Sequence, residues 1–323
     1  MRFTDTLTAG NWTTPTVKSE VHIRKYSTTG DILSYKRCKR QYGMFGVRGF
    51  ALSNDTQAYF GTLTHDVLDA VNREFQATGT IPGAADIHAM IEQAHDRLWR
   101  SGVRPHHSKR QRESVALLIT RFVELVGDAF FRHVQATEYQ LERAMTTPTG
   151  RGYVLTGVVD VLAGAVCEDL GLSFPTHPDD VEIWDYKSGR RPAKGDPTLR
   201  DYEFQMRMYA RIFELRTGRP PSRCVLVFLG ELADHDSYAA ARGKASRVPD
   251  LFYALPPEPL RVHEVETDFH ATVDAIEHER TLPYSAQWAA PTTPVDGQTC
   301  EACDLRFNCP AYPQGNKLRR EPL

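Results

Sequence analysis

The sequence reads as an α/β protein: a mixed central β-sheet flanked by helices, with a helical N-terminal part and a cysteine-bearing C-terminal segment. Two observations carry this. Up to residue 135 apolar side chains recur at helical spacing, and beyond it they alternate or run together as half-buried and buried strands do. The later order is strand, strand, strand, helix, strand, and a helix between strands calls for a sheet with helices on its faces rather than a bundle. The boundaries fall at 1–135 for the helical part, carrying Cys38 and His65, 136–235 for the sheet-forming core and 236–323 for the C-terminal segment, all three making one structural unit.

Residues 1–25 show no period and are expected to form an extended lead-in. From Ser27 the pattern turns helical: Thr28 or Thr29 can cap a short helix through Ile32, Leu33, Tyr35 and Cys38, ended by Gly43. Residues 61–77 repeat apolar positions at Leu63, Val67, Leu68 and Val71, with His65 off that stripe. Residues 86–99 and 112–134 read as two further amphipathic helices. The period then changes. Tyr139–Met145 and Tyr153–Leu162, around a turn at Pro148 and Gly150, predict a hairpin, and Val181–Tyr186 a third strand. Cys167–Asp180, with its glycines, prolines and acids, is a surface insertion. Tyr202–Thr217 is a helix with Phe204, Met208, Ile212 and Leu215 on one face, followed by a buried strand, Arg223–Leu229. Residues 234–260 lack a period and are expected to be a mobile loop; Phe269–Arg280 forms a helix and Gln314–Leu323 a loose tail.

Composition narrows the function classes. Apolar, charged and aromatic fractions of 41%, 25% and 10% are those of a globular protein, which excludes a disordered or fibrous chain. No apolar run is long enough to span a membrane and no apolar segment follows the first Met, so the cytoplasm is the expected compartment and no membrane a partner. A formal net charge of −2 gives no global attraction to nucleic acid. Binding would need local basic patches, for which Lys36, Arg37, Lys39 and Arg40, and the run Arg104–Arg112, are candidates. No Gly-x4-Gly-Lys-Ser/Thr phosphate loop occurs, so the chain shows no ATP motor of its own.

Six cysteines in a chain of this kind do not suggest a disulfide framework. Cys300, Cys303 and Cys309 are spaced so that three thiols can converge on one soft metal centre, which wants a fourth ligand. Cys167 and Cys224 sit in or beside apolar runs and are expected to be buried thiols. Cys38, on a polar basic segment, is the better fourth ligand.

The strands hold the most informative residues. Asp160 lies within Gly157-Val158-Val159-Asp160-Val161-Leu162, and Asp185 and Lys187 within Val181–Lys187. An ionised carboxylate in an apolar strand must be paired, hydrogen-bonded or metal-bound to offset its desolvation. Asp185 and Lys187, two apart, project to one face and Tyr186 to the other. If a neighbouring strand brings Asp160 alongside, two carboxylates can share a divalent cation next to an ammonium, as metal-assisted phosphodiester hydrolysis requires. Taken alone, the triplet also allows a plain surface ion pair.

Gly61-x3-His65, Gly157-x2-Asp160, Asp185-x-Lys187 and Gln205-x3-Tyr209, in that order, resemble the PD-(D/E)XK nuclease superfamily, specifically its RecB-type branch. One cysteine upstream and Cys-x2-Cys-x5-Cys downstream resemble the iron-sulfur nucleases of that branch, such as AddB nuclease domains and CRISPR-adaptation nucleases. The resemblance runs from Ser27 to Pro310 and implies a restriction-endonuclease-like core with a C-terminal iron-sulfur segment. It implies that His65, Asp160, Asp185 and the backbone carbonyl of Tyr186 ligate Mg2+ or Mn2+, and that Lys187 positions or helps deprotonate the attacking water. Gln205 and Tyr209 would hold the lysine, a water or the DNA strand. Glu142 is a candidate further carboxylate, in competition with Glu138. Cys38, Cys300, Cys303 and Cys309 would hold a 4Fe-4S cluster in preference to zinc, closing a very long loop. The implied activity is a metal-dependent deoxyribonuclease acting on single strands or DNA ends in repair, recombination or defence, partnered by DNA and by a separate helicase/ATPase or defence-complex subunit. The alternative is a non-catalytic DNA-binding or strand-splitting module, or a scaffold subunit of a defence complex. Two features depart from the family pattern: the Asp160–Asp185 interval is longer than the family hairpin, and Lys39 follows Cys38 where such families often have Pro.

Overall fold

β1 (Lys25–Ser27) leads into wide helical turns, Thr28–Leu33 and Tyr42–Val47, around two short helices, α1 (Ser34–Arg37) and α2 (Lys39–Gln41). Cys38 separates α1 from α2 in extended conformation, φ −159° and ψ 106°. The helix expected to stop at Gly43 is therefore broken earlier and continues past that glycine. Packing explains why the glycine is there: a Cβ at Gly43 would fall 2.0 Å from Cγ of the buried Trp288. The structure, a computed structural model, describes residues 23–50, 56–167, 169–172, 177 and 179–312. Residues 1–22 of the expected lead-in, the tail from residue 314 and part of the Cys167–Asp180 insertion lie outside the described residues.

Three long helices follow, α3 (Thr56–Thr78), α4 (Ala84–Arg100) and α5 (Ser108–Phe131), the last kinked at Gly127. β2 (Val134–Thr146) and β3 (Gly152–Ala163) form the expected antiparallel hairpin, and β4 (Glu182–Lys187) the third strand. The rest is α6 (Pro197–Thr217), β5 (Arg223–Phe228), α7 (His235–Ala241), β6 (Phe252–Leu255), α8 (Pro259–Thr281) and α9 (Gly297–Glu301). Both α6 and α8 begin earlier than their apolar periods do, because a proline in the first turn follows an acidic residue; Asp196 Oδ1 accepts the Thr198 N–H at 2.7 Å. The 234–260 stretch is not the expected loop. It contains α7 and β6, and β6 pairs antiparallel with β5 from Cys224↔Leu255 to Val227↔Phe252. Four residues, like the three of β1, are too few to display a period.

The sheet is mixed, as expected, and β3 pairs with three of its strands. One side of β3 pairs with β2; the other pairs first with β1, parallel, at Lys25↔Val154 to Ser27↔Thr156, and then with β4, antiparallel, at Val161↔Trp184 to Ala163↔Glu182. β4 continues parallel to β5. Helices cover both faces. One core joins α3, α4 and α5 to Val161, Trp184, Tyr186, Val225 and Val227; the other joins Tyr26, Leu155, Ile183 and Leu226 to α6, α8 and Trp288. Cys167 and Cys224 are buried, as expected. Among the described residues no helix is long and apolar enough to cross a membrane.

Candidate active site

The ladder between β3 and β4 ends at Val161↔Trp184. At the next position a side chain takes over from the backbone: Asp160 Oδ2 accepts the Tyr186 N–H at 2.7 Å. The strands part here and leave a gap. Because the N–H and C=O of one strand residue point to the same side, the Tyr186 carbonyl faces this gap as well.

Across the other side of β3, the pairs Thr137↔Val161 and Tyr139↔Val159 set Glu138 opposite Asp160. Both strands change faces at this point. Tyr139 and Val159 pack into the α6 core, whereas Val161 packs into the α3–α5 core. The switch is absorbed at Glu138, whose φ of 47° is left-handed and costs a non-glycine residue on the order of 1 kcal/mol. Its carboxylate joins the cluster: one ligand atom each from His65, Glu138 and Asp160 lies within 4.8 Å of the others. α3 delivers His65, with Nδ1 3.3 Å from Asp160 Oδ2 and the ring edge-on to Tyr186 at 6.3 Å. One turn beyond His65, α3 is tied to β2 by the Thr137 hydroxyl, which donates to Asp69 at 2.6 Å.

Asp185 and Lys187 project together toward α6. Lys187 Nζ lies 2.6 Å from Asp185 Oδ2 in an ion contact out of line for a hydrogen bond, and donates instead to Gln205 Oε1 at 2.9 Å. Gln205 Nε2 donates to Asp185 Oδ1 at 3.1 Å and to the Tyr209 hydroxyl at 2.9 Å. One buried amide thus orients the acid, the lysine and the tyrosine, with Gln205 and Tyr209 one turn apart on the same helix face. The ring of Tyr209 occupies the space over Gly157, where a Cβ would come within 2.7 Å of it, which gives the glycine of Gly157-x2-Asp160 its reason. Tyr202 lies one turn earlier, its ring centroid 4.5 Å from the Lys187 ammonium.

Charge is concentrated and only partly balanced. Burial alone would lower His65, but the carboxylate of Asp160 and, beyond it, Asp185 raise it to about 9. Burial also raises Asp185, with Lys187 opposing and Asp160 reinforcing the shift. Lys187 is lowered by its burial and raised by more through Asp185, so it remains cationic. Desolvation and then the charge of Asp160 push Glu138 up to about 7; the residue as a whole is exposed, and solvent screens part of that effect.

A family model of the PD-(D/E)XK nuclease superfamily matches residues 29–310. The chain belongs to this superfamily. A comparison with curated proteins finds no match. Superfamily membership implies a metal-dependent nuclease, and the donor set suits it: one imidazole nitrogen with carboxylate oxygens is a set that a hard divalent cation accepts.

The geometry gathers His65, Asp160, Asp185, Tyr186, Lys187, Gln205 and Tyr209 at one gap. Glu142 is not there, and that expectation is corrected. It pairs with Lys25 at 2.6 Å on the exposed part of β2, about 13 Å along the strand from Glu138. Glu138 was obscured because the alternation that assigns faces breaks at that very residue. Tyr202 was legible in principle, one helical turn before Gln205. Cys38, Cys300, Cys303 and Cys309 are half-buried free thiols. Burial raises Cys38, and the charges of Cys303 and Cys309 add to the rise, so these three lie within electrostatic reach of one another; Cys300 joins Cys303 through a backbone hydrogen bond of 3.3 Å.

Proposed function

We propose that this chain is a Mg2+- or Mn2+-dependent deoxyribonuclease of the RecB-type branch, hydrolysing phosphodiester bonds of single-stranded DNA or DNA ends in the cytoplasm. Its setting is repair, recombination or defence. The observation that carries the reading is the Gln205 network, which fixes Lys187 and Asp185 side by side at the gap that Asp160 holds open. His65, Asp160 and Asp185 hold the cation, with the Tyr186 carbonyl and Glu138 beside them. When bound, the cation lowers the pKa of water and neutralises charge on the phosphate.

Each residue then has a defined task. Lys187 orients the attacking water; Gln205 fixes the lysine's rotamer; Tyr209 fixes Gln205; the Tyr202 ring shields the ammonium from solvent. A helicase or defence-complex subunit is the chain's proposed partner and motor. Cys38, Cys300, Cys303 and Cys309 hold a 4Fe-4S cluster, a reading supported by four half-buried thiols of soft character. Its contribution is to tie the segment after β1 to the segment after α8.

The test compares wild type with Lys187→Ala and Asp185→Ala on 5′- and 3′-labelled single-stranded and duplex DNA in Mn2+. Cleavage by wild type alone is expected. DNA bound but left equally intact by all three proteins would assign the chain a binding or strand-splitting role instead.

A further inference from the structure

Most glycines of this chain are explained by the chain itself. Some have left-handed backbone, and others sit where a Cβ would strike a neighbour, as at Gly43, Gly157 and Gly230. Among the glycines whose surroundings are described, Gly61, Gly152 and Gly189 have neither: their backbone suits any residue, and no described atom lies within 4 Å of where a Cβ would stand. Gly152 opens β3 at the hairpin turn, an ordinary place for glycine. The other two flank the acid cluster. Gly61 lies inside α3 one turn before His65 and on the same helix face. Gly189 is two residues beyond Lys187.

A glycine in a helix interior weakens the helix, so one that no described neighbour requires is held there against stability. The turn at Gly189 is not slack either. Its carbonyl accepts the Gly230 N–H at 3.1 Å, and the Arg191 N–H donates to Glu231 at 2.9 Å. Both are rigid, uncrowded positions beside the gap where Asp160 and Asp185 meet. Among the described residues nothing fills the space at either, and a bound strand can.

We propose that Gly61 and Gly189 mark the two points at which the sugar-phosphate backbone of DNA approaches the protein most closely, so that even a methyl group at either would hold the strand off the acid cluster. This rests on the nuclease reading above. The preference is for the backbone rather than the bases, because glycine offers only a smooth main chain, which supports close approach without sequence readout.

The test is the affinity of Gly61→Ala, Gly189→Ala and, as control, Gly152→Ala for a 5′-fluorescein single-stranded oligonucleotide, by anisotropy in an Asp185→Ala background where no cleavage intervenes. Gly61→Ala and Gly189→Ala are each expected to weaken binding about tenfold, while Gly152→Ala binds unchanged. Gly61→Ala should also melt about 2 °C higher and, in the wild-type background, bind Mn2+ as before by calorimetry. A combination of greater stability with weaker DNA binding and intact metal binding is what a merely structural glycine would not give. Unchanged DNA affinity in both variants, a lower melting temperature for Gly61→Ala, or no DNA binding by the parent protein overturns the proposal. Cleavage, measured separately with Mn2+ in the wild type, decides the nuclease reading alone.

Discussion

Replacing Glu138 by Gln should make the metal-free protein more stable and the metal-bound protein less so. The two carboxylates of Glu138 and Asp160 lie within 4.8 Å. Coulomb's law at that separation gives about 1 kcal/mol of repulsion in water and about 3 kcal/mol at a partly buried site; Glu138 is exposed, so the lower figure applies. The glutamine keeps the shape and removes the charge, which corresponds to a rise of roughly 2 °C in melting temperature for a chain of this size. The pH dependence has a fixed sign. Glu138 is raised in the folded protein from the ordinary 4.5 to about 7, so its contribution is fully present below the ordinary value and is lost as pH climbs through about 7. The advantage of Glu138→Gln should therefore be absent at pH 4.5, grow across that window and be complete at pH 8. Added Mn2+ reverses the order, because wild type gains more from a cation that its extra carboxylate faces. The assay is calorimetric melting of both proteins at pH 5, 6, 7 and 8, in EDTA and in Mn2+. A variant that melts at or below wild type in EDTA at pH 8, or that gains as much from Mn2+, would refute this account of Glu138.

Three further outcomes follow from the geometry. Gln205→Leu removes hydrogen bonds to one cation and one carboxylate at an estimated 1.5–3 kcal/mol each, roughly; kcat at saturating Mn2+ should fall about a hundredfold or more while Mn2+ affinity stays within about threefold, and equal losses in both would place Gln205 on the metal instead. Gly43→Ala drives a methyl group to within 2.0 Å of Trp288, and urea melts should show a loss of about 1–3 kcal/mol or more with Mn2+ binding retained. Cys303→Ser should lower thermal stability and visible absorbance near about 400 nm together; wild type purified anaerobically without that absorbance would remove the iron-sulfur assignment.

How far these residues could be found without coordinates depended on periodicity. Asp185, Tyr186 and Lys187 lie on a straight, buried strand, so a period of two was enough to place acid and lysine on one face. Gln205 and Tyr209 lie on a regular helix and followed from a spacing of four. The mixed sheet between helices came from the same two periods. What escaped was set by interruption rather than by pattern. Glu138 occupies the point where β2 and β3 both switch faces, so a period counted along the strand from Leu141 does not assign its side. The helical turns that persist past Gly43 set that glycine against Trp288, some 245 residues away in sequence, a long-range contact no local window contains. β1 and β6 were too short to announce themselves.

The seating of Trp288 against Gly43 bears on how this protein can be reused. The stretch 136–235 contains nearly all the reacting groups, yet it cannot be lifted out as a portable cutting module. Its α6-side face is roofed by Tyr26 and Tyr42 from upstream and by Phe269, Val273, Ile276 and Trp288 from downstream. Excising it at those boundaries would bare a wall of large apolar side chains and turn a nuclease into an aggregate. Fusion or transplantation has to carry residues 25–310 as one piece, cysteines included, and insertions will be tolerated according to which face of the sheet they disturb.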